Sequence, residues 1–259
     1  MIQTTPLAAF NDNYIWMLLS HEQRCCAAVD PGDAEPVRQW LATHPDWRLT
    51  DILITHHHAD HTGGVAALQA QTLCRVYGPA LEPVDGLDHA LVDGQQIRVL
   101  GHEWQVMHVP GHTRGHLAYF CENRGRPLLL SGDTLFSAGC GRVFEGTHQQ
   151  MYHSLQKLAA LPGETLVHAA HEYTLGNLAF ALVVEPGNTV LHQRQQEVTL
   201  LRQQGQPSLP SRMAIERATN PFLRCGQETV RQAAEQHAGH ALPTSAEVFA
   251  ALRGWKDHF

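Results

Sequence analysis

The stretch Thr55-His56-His57-His58-Ala59-Asp60-His61-Thr62-Gly63-Gly64 decides how this chain is read. It follows Ile52-Leu53-Ile54, an apolar run with the length and β-branched content of a buried strand. Five of the seven residues from Thr55 to His61 can bind a metal. His56 and His58 stand two apart, so in an extended segment they point the same way. Asp60 and His61 come next, where a turn can swing them toward a second point. One ion rarely takes four ligands from so short a loop, whereas two adjacent ions can share them. Imidazole suits zinc or iron, and the carboxylate adds charge that favours a divalent cation. The same composition would fit an exposed His-rich turn or an expression tag, but tags sit at chain ends. A mid-chain HxHxDH directly after a strand reads as a metal site.

Working outward, Cys25–Val29 reads as a short strand ending at Asp30-Pro31-Gly32-Asp33, a turn by its chemistry. Ala34–Thr43 carries Val37, Trp40 and Leu41 at helical spacing, and Asp51–Ile54 is the next strand. Strand, helix, strand at this spacing is a βαβ unit, and ligand sites lie at the carboxyl ends of such strands. Upstream, residues 2–20 form two strands about the turn Phe10-Asn11-Asp12-Asn13. Downstream, Val65–Gln71 is helical, and short strands follow at Val76-Tyr77, Ile97–Leu100, Trp104–Val109, Leu117–Cys121 and Leu128–Leu130. A helix at Gln149–Leu161 and a strand at Thr165–Ala169 close this part. From Leu175 the pattern turns helical, at Leu175–Glu185, Val190–Gln204, Glu228–His237 and Ser245–Leu252, with no convincing strand. The expectation is an α/β domain over 1–172 and a smaller all-helical domain over 173–259.

Composition bounds the partners. The 259 residues are 43% hydrophobic and 17% charged, with a formal net charge of −7. That is an ordinary globular balance, with core enough for one large domain or two modest ones. No run of Lys or Arg appears, which argues against nucleic acid or an anionic membrane as partner. An anionic substrate must then be held by a few local basic residues. The N-terminus lacks the basic start and apolar run of a signal peptide, and no segment is long and apolar enough for a membrane span. Six scattered cysteines without CxxC spacing fit reduced, buried thiols, so a cytoplasmic location is expected.

Three further stretches carry metal-binding side chains. Pro110-Gly111-His112-Thr113-Arg114-Gly115-His116 follows the run Trp104–Val109. Leu128-Leu129-Leu130-Ser131-Gly132-Asp133-Thr134 is an apolar strand ending in a carboxylate, and Leu166-Val167-His168-Ala169-Ala170-His171-Glu172-Tyr173 runs from a strand into a turn. Alone, the first fits a capped turn as well as a ligand, and a strand-end Asp is often only a turn former. Together with the HxHxDH loop they resemble the metallo-β-lactamase superfamily, hydrolases and oxidoreductases with a metal at the edge of a β-sandwich. The resemblance implies an αββα sandwich with His56, His58 and His112 on one ion, Asp60, His61 and His171 on a second, and Asp133 bridging them. It leaves His116 as a support residue that orients ligands, and His168 as structural. Each ion then keeps a place for a shared water, as catalytic sites require. Two divalent cations, zinc first with iron or manganese as alternatives, would turn that water into a bridging hydroxide, with Asp60 and Asp133 as catalytic carboxylates.

The branch is indicated by Leu135-Phe136-Ser137-Ala138-Gly139-Cys140-Gly141-Arg142, by His171-Glu172-Tyr173 and by the chain end Leu252-Arg253-Gly254-Trp255-Lys256-Asp257-His258-Phe259. Asn11-Asp12-Asn13-Tyr14 and Asn220-Pro221-Phe222-Leu223-Arg224 join them. All are similar to the glyoxalase II, or hydroxyacylglutathione hydrolase, family, and the match runs from end to end. It includes the helical tail that β-lactamases of this fold lack. The resemblance implies hydrolysis of an S-2-hydroxyacylglutathione, S-D-lactoylglutathione above all, to D-lactate and glutathione in methylglyoxal detoxification. It also implies that Arg142, Phe144, Tyr173, Arg253 and Lys256 meet the glutathione moiety. Phe144 departs from members that carry a tyrosine there, which removes a hydroxyl donor. Arg253 and Lys256 are three apart, so on a helix they share a face and present paired cations to the carboxylates of glutathione. The same spacing also fits a basic turn that complements a helix dipole. Within the fold, a persulfide dioxygenase would hold a single iron and need oxygen. Outside enzymes, a metal or redox carrier would have a closed site. The partner is therefore read as a small glutathione thioester acted on by a monomer.

Overall fold

The strand Asn13–Ser20 is buried at all of its positions, so it is covered on both faces, as its near-continuous apolar sequence requires. The computed structural model describes all 259 residues and divides into two compact units. The first comprises Met1–His108, Arg114–Gly132 and His168–His171; the second comprises Val109–Thr113, Asp133–Val167 and Glu172–Phe259. The division therefore interleaves along the chain, while the helical pattern of the tail suggests a single cut near 172.

In the first unit, β1 (Gln3–Ala9), β2 (Asn13–Ser20) and β3 (Cys25–Val29) form an antiparallel ladder. After α1 (Ala34–Thr43), β4 (Arg48–Leu53) returns parallel to β3, the expected βαβ unit. Asp33 caps α1 by accepting from the Glu35 amide, which fixes where the crossover begins. A four-residue helix α2 (Ala59–Thr62) lies inside the histidine loop and leads into α3 (Val65–Thr72). The strands β5 (Arg75–Pro79) and β6 (His89–Leu91) extend the sheet in parallel. Ile15, Met17, Ala28, Ile52 and Ile54 from this sheet pack with Val37 of α1 and with Val65 and Leu68 of α3. A second antiparallel sheet follows, from β7 (Gln96–Val99), β8 (His102–His108), β9 (Leu117–Cys121) and β10 (Leu128–Gly132). The Tyr119 hydroxyl on β9 donates to the Ile54 carbonyl at 2.6 Å and joins the two sheets. That bond satisfies two buried polar groups at once.

In the second unit, β11 (Leu135–Phe136) and β12 (Gly139–Cys140) make a small hairpin. The helix α4 (His148–Ala159) starts at a capping box of Thr147 and Gln150, which satisfies two orphan helix-end groups reciprocally. The strand β13 (Leu166–Ala169) follows, and its last two residues count with the first unit. The helices α5 (Thr174–Val184) and α6 (Thr189–Gln203) come next, then β14 (Ser211–Arg212), α7 (Met213–Thr219), α8 (Glu228–Ala238) and α9 (Ser245–Asp257). Leu178 and Ala181 of α5 pack with Leu191 and Val198 of α6, and Phe222 stacks with Phe180 and meets Phe249.

Several elements differ from the sequence reading. The tail does hold a strand: β14 pairs with Leu166 and Val167. A two-residue strand has no period of its own and exists only because a partner supplies its hydrogen bonds. The three-residue β6 was missed for the same reason, while the helices α2 and α7, of four and seven residues, are too short to show a helical period. The last helix runs five residues beyond Leu252 because its polar end is held by tertiary contacts described below.

The tail also carries an ion pair whose pH dependence is open to measurement. Burial alone would push the Glu185 carboxyl up, but hydrogen bonds from Arg224 at 2.6 and 3.0 Å and from Thr229 at 2.8 Å outweigh it and hold it below the usual carboxylate range. A depressed folded-state pKa adds stability above the ordinary value of 4.5 and loses it as pH falls toward the folded value. Glu185→Gln is therefore expected to lower the melting temperature at pH 7, with the difference from wild type shrinking below about pH 4. An equal difference at pH 7 and pH 3.5 in thermal melts would contradict this.

Candidate functional site

The first unit holds His56, His58, Asp60, His61 and His171, all of them at the ends of strands or in the loop after β4. The loop takes its course from Asp30 at the end of β3. The Asp30 carboxylate accepts the Thr55 amide and the Thr55 hydroxyl, each at 2.7 Å. Because that hydroxyl hydrogen points at Asp30, Thr55 Oγ1 is left to accept from His56 Nδ1 at 3.0 Å. His61 Nδ1 lies 3.1 Å from Asp30 Oδ2, and His171 Nδ1 lies 2.7 Å from Asp12 Oδ1. Each contact holds the Nδ1 edge of a ring and leaves Nε2 to face inward, the arrangement that orients a metal-ligating imidazole.

Those inward atoms are spaced as ligands. Asp60 Oδ2 stands 3.4 Å from His61 Nε2 and 3.5 Å from His171 Nε2. Tetrahedral ligands held at 2.0–2.1 Å from a cation stand about 3.4 Å apart, so the donor set fits a divalent ion. His56 Nε2 and His58 Nδ1 are 3.0 Å apart. Asn13 Nδ2 donates to the same Asp60 Oδ2 at 2.9 Å and steadies the carboxylate. His57 is turned away: its amide and Nδ1 both meet Glu82 Oε2, while Glu82 Oε1 accepts the Gly115 amide. His116 is fully buried and stacks on His56 with ring centroids 4.7 Å apart, consistent with a support residue. Gly132 has a left-handed φ of +49°, and a Cβ there would sit 2.5 Å from Thr55 Oγ1, so no other residue fits beneath this loop.

The second unit holds His112, Asp133, Arg142, Phe144, Tyr173, Arg253 and Lys256, and all seven line one cavity of about 570 Å³. His112 Nδ1 is held by the Arg142 carbonyl at 2.8 Å, and His112 Nε2 lies 3.5 Å from Asp133 Oδ2. This repeats the pattern of the first unit. Gly141 makes the cavity wall possible, because a Cβ there would lie 1.9 Å from the Asp133 carbonyl oxygen.

The two tail cations differ from the expected pair. Lys256 is half-buried, over the rings of Phe180 and Phe259. Burial and then the charges of Arg253 and Arg142 pull its pKa below the usual lysine value. Such crowding of positive charge would be relieved by an anion. Arg253 is only 3% exposed and already engaged: it donates to the Cys140 carbonyl at 2.9 Å and to Asp257 at 2.9 Å, and it covers the Phe222 ring. Spacing placed both cations on one face correctly but could not show that one was already paired. Arg142 has a largely exposed side chain 3.6 Å from Asp257. Phe144 and Tyr173 are exposed aromatics that line the cavity.

Asp12 and Asn13 are legible in the sequence as turn residues within a stretch that carries the family resemblance, Asp30 as a turn residue alone, and Glu82 is not singled out. Their signal was weak, since Asp and Asn suit turns in their own right. A carboxylate within a turn that precedes or faces a histidine-rich loop is what could have raised them.

Residues 29–171 match the family model of the metallo-beta-lactamase superfamily, and residues 172–259 match the one described as hydroxyacylglutathione hydrolase C-terminus. A hydroxyacylglutathione hydrolase of Pseudomonas aeruginosa (strain LESB58) is 57% identical over 259 residues, covering 100% of both chains. Among solved structures, ETHE1 from Myxococcus xanthus superposes with a TM-score of 0.66 at 24% identity, over 99% of this chain and 98% of that one, which speaks to the fold. TTHA1623 in a di-iron-bound form gives a TM-score of 0.52 at 29% identity over 65% of this chain and 91% of its own. The superfamily match and the His/Asp cluster together support a divalent-metal site in this chain.

Removing a carboxylate that holds the far edge of a ligating ring costs about 10- to 100-fold in metal affinity. Asp12→Ala is expected to lose metal by that factor during titration with a chelator, with the circular dichroism spectrum unchanged. Unchanged metal retention would show that Asp12 plays no part in holding His171 for a metal.

Proposed function

Because the chain belongs to the hydroxyacylglutathione hydrolase family of the metallo-β-lactamase superfamily, we propose that it hydrolyses S-2-hydroxyacylglutathione, S-D-lactoylglutathione first, to the 2-hydroxy acid and glutathione. Release of D-lactate makes this a step of methylglyoxal detoxification. The observation that carries the reading is the cavity in which His112 and Asp133 stand with Arg142, Tyr173 and Lys256. One cavity thereby joins groups suited to a metal with groups suited to an anionic peptide.

By motif position, His56, His58 and His112 would hold one ion and Asp60, His61 and His171 a second, with Asp133 as the carboxylate that would serve both. A donor set of imidazole and carboxylate suits zinc, with iron or manganese as alternatives. When bound, the two ions supply Lewis acidity and a water nucleophile of lowered pKa. The chain's own residues do the rest. Asp12, Asp30, Thr55 and the Arg142 carbonyl fix the ring edges of the histidines. Asp60, steadied by Asn13, and Asp133 act as the catalytic carboxylates that orient the nucleophile. Arg142, Tyr173 and Lys256 hold the glutathione moiety, with Arg253 behind them, and Phe144 offers a ring face without a hydroxyl donor. A thiol of pKa about 8.5 leaves as thiolate, so the reaction needs no dedicated proton donor at the sulfur.

In this reading residues 1–172 supply the metal-binding part and 173–259 most of the glutathione recognition, in a cytoplasmic monomer. All six cysteines are unpaired and buried, as a reducing compartment favours. No helix is long and apolar enough to cross a membrane.

Protein reconstituted with zinc is expected to bind about two ions per chain and to release thiol from S-lactoylglutathione. Full metal loading without thioester hydrolysis would sink the reading. Lys256→Ala should raise KM for this substrate on the order of tenfold while kcat changes little, because a charge-assisted contact to a carboxylate is made in ground state and transition state alike. An unchanged KM would remove Lys256 from the binding site.

A further inference from the structure

The hairpin that joins Asp133 to Arg142 is held by buried polar side chains of the helical tail, all within the second unit. The carbonyls of Phe136 and Gly139 accept from Asn220 Nδ2 at 3.2 and 2.9 Å. The Ser137 carbonyl accepts from Asn177 Nδ2 at 3.0 Å, and the Cys140 carbonyl from Arg253 at 2.9 Å. Two donors of the hairpin face the other way: the Ser137 hydroxyl and the Ala138 amide donate to the Glu216 carboxylate at 3.0 and 2.7 Å. Glu216 and Asn220 also hold each other, with Asn220 Nδ2 3.3 Å from Glu216 Oε2.

Both residues have no exposed surface, and neither is among the residues that line the cavity. A carboxylate buried this deeply is costly unless its oxygens are hydrogen-bonded, and an apolar side chain would serve packing better. The hairpin in turn needs an external hold. Ala138 sits at a left-handed φ of 53°, a conformation that a residue with a Cβ keeps only when its surroundings impose it. The next residues along the chain, Cys140, Gly141 and Arg142, form the cavity wall.

We propose that Glu216 and Asn220 are positioning residues of the substrate site, which lock the 136–140 hairpin so that Arg142 and the wall beside it stand ready for the glutathione moiety. Asn177 on the Ser137 carbonyl and Arg253 on the Cys140 carbonyl are the other two arms of this clamp. The proposal rests on reading the cavity as the glutathione site.

The test compares S-lactoylglutathione with the lactoyl thioester of N-acetylcysteamine, which lacks the peptide, using metal-loaded protein with metal content and melting temperature recorded. In Glu216→Gln the charged acceptor becomes a neutral amide and the Ser137 hydroxyl must turn to accept from its N–H, so the clamp bonds are weakened. KM for the glutathione thioester is expected to rise about tenfold, with kcat, metal content and kcat/KM for the small thioester unchanged. Ser137→Ala removes a single hydroxyl and should move KM in the same direction by about threefold; it decides the question if Glu216→Gln does not fold. Equal losses on the two substrates, or an unchanged KM in both variants, would overturn the proposal and leave Glu216 as a stabiliser of the tail. A wild-type protein with the same KM for both thioesters would instead overturn the glutathione reading beneath it.

Discussion

The carboxylate of Asp30 is the point on which the first unit's site depends. It ends β3, its amide donates to the Leu53 carbonyl on the neighbouring parallel strand, and its oxygens take the amide and hydroxyl of Thr55. Hydrogen bonds to a charged group are worth about 1.5–3 kcal/mol each, and more is lost when a buried partner is left unsatisfied. The bonds therefore dictate the direction in which the loop leaves β4. They also settle chemistry one step further on. A Thr55 hydroxyl that donates to Asp30 can only accept from His56, which fixes the tautomer of that ring and turns its Nε2 inward. His61 is oriented by the same carboxylate.

The same logic recurs with different partners. Asp12 holds His171, and the Arg142 carbonyl holds His112. Each ring has one edge anchored to an acceptor and the other turned to a carboxylate, so the imidazoles are set before any ion arrives. Preorganisation of this kind lowers the cost of assembling a metal site and tunes ligand basicity. In the second unit the demand falls on the backbone. Glu216, Asn177, Asn220 and Arg253 together satisfy six polar groups of one short hairpin. A strained turn is thus kept rigid beside the cavity. Arg142, Arg253 and Lys256 gather positive charge there in a chain whose net charge is −7, so attraction for an anion is local to that wall.

What the sequence determined by itself was whatever depends on near neighbours. The ends of α1 follow from its cap and period, the βαβ unit from strand, turn and helix in succession, and the histidine loop from its place after an apolar strand. The candidate side chains were legible as residue types at fixed spacings. The helical tail was legible as an end to alternating patterns, although the two-residue β14 and the short α7 were not.

Tertiary structure alone decided which polar group meets which. Asp12 and His171 are 159 residues apart, and Asp30 and Thr55 are 25 apart. No local period encodes such pairings, because a side-chain hydrogen bond is specified by where the backbone brings its two ends. Arg253 shows the limit most clearly. Its spacing from Lys256 is helical and was readable, but the Cys140 carbonyl that occupies its guanidinium comes from 113 residues away. A cation in the sequence is a charge; whether it meets a ligand or a carbonyl of its own chain is settled only when the chain has packed.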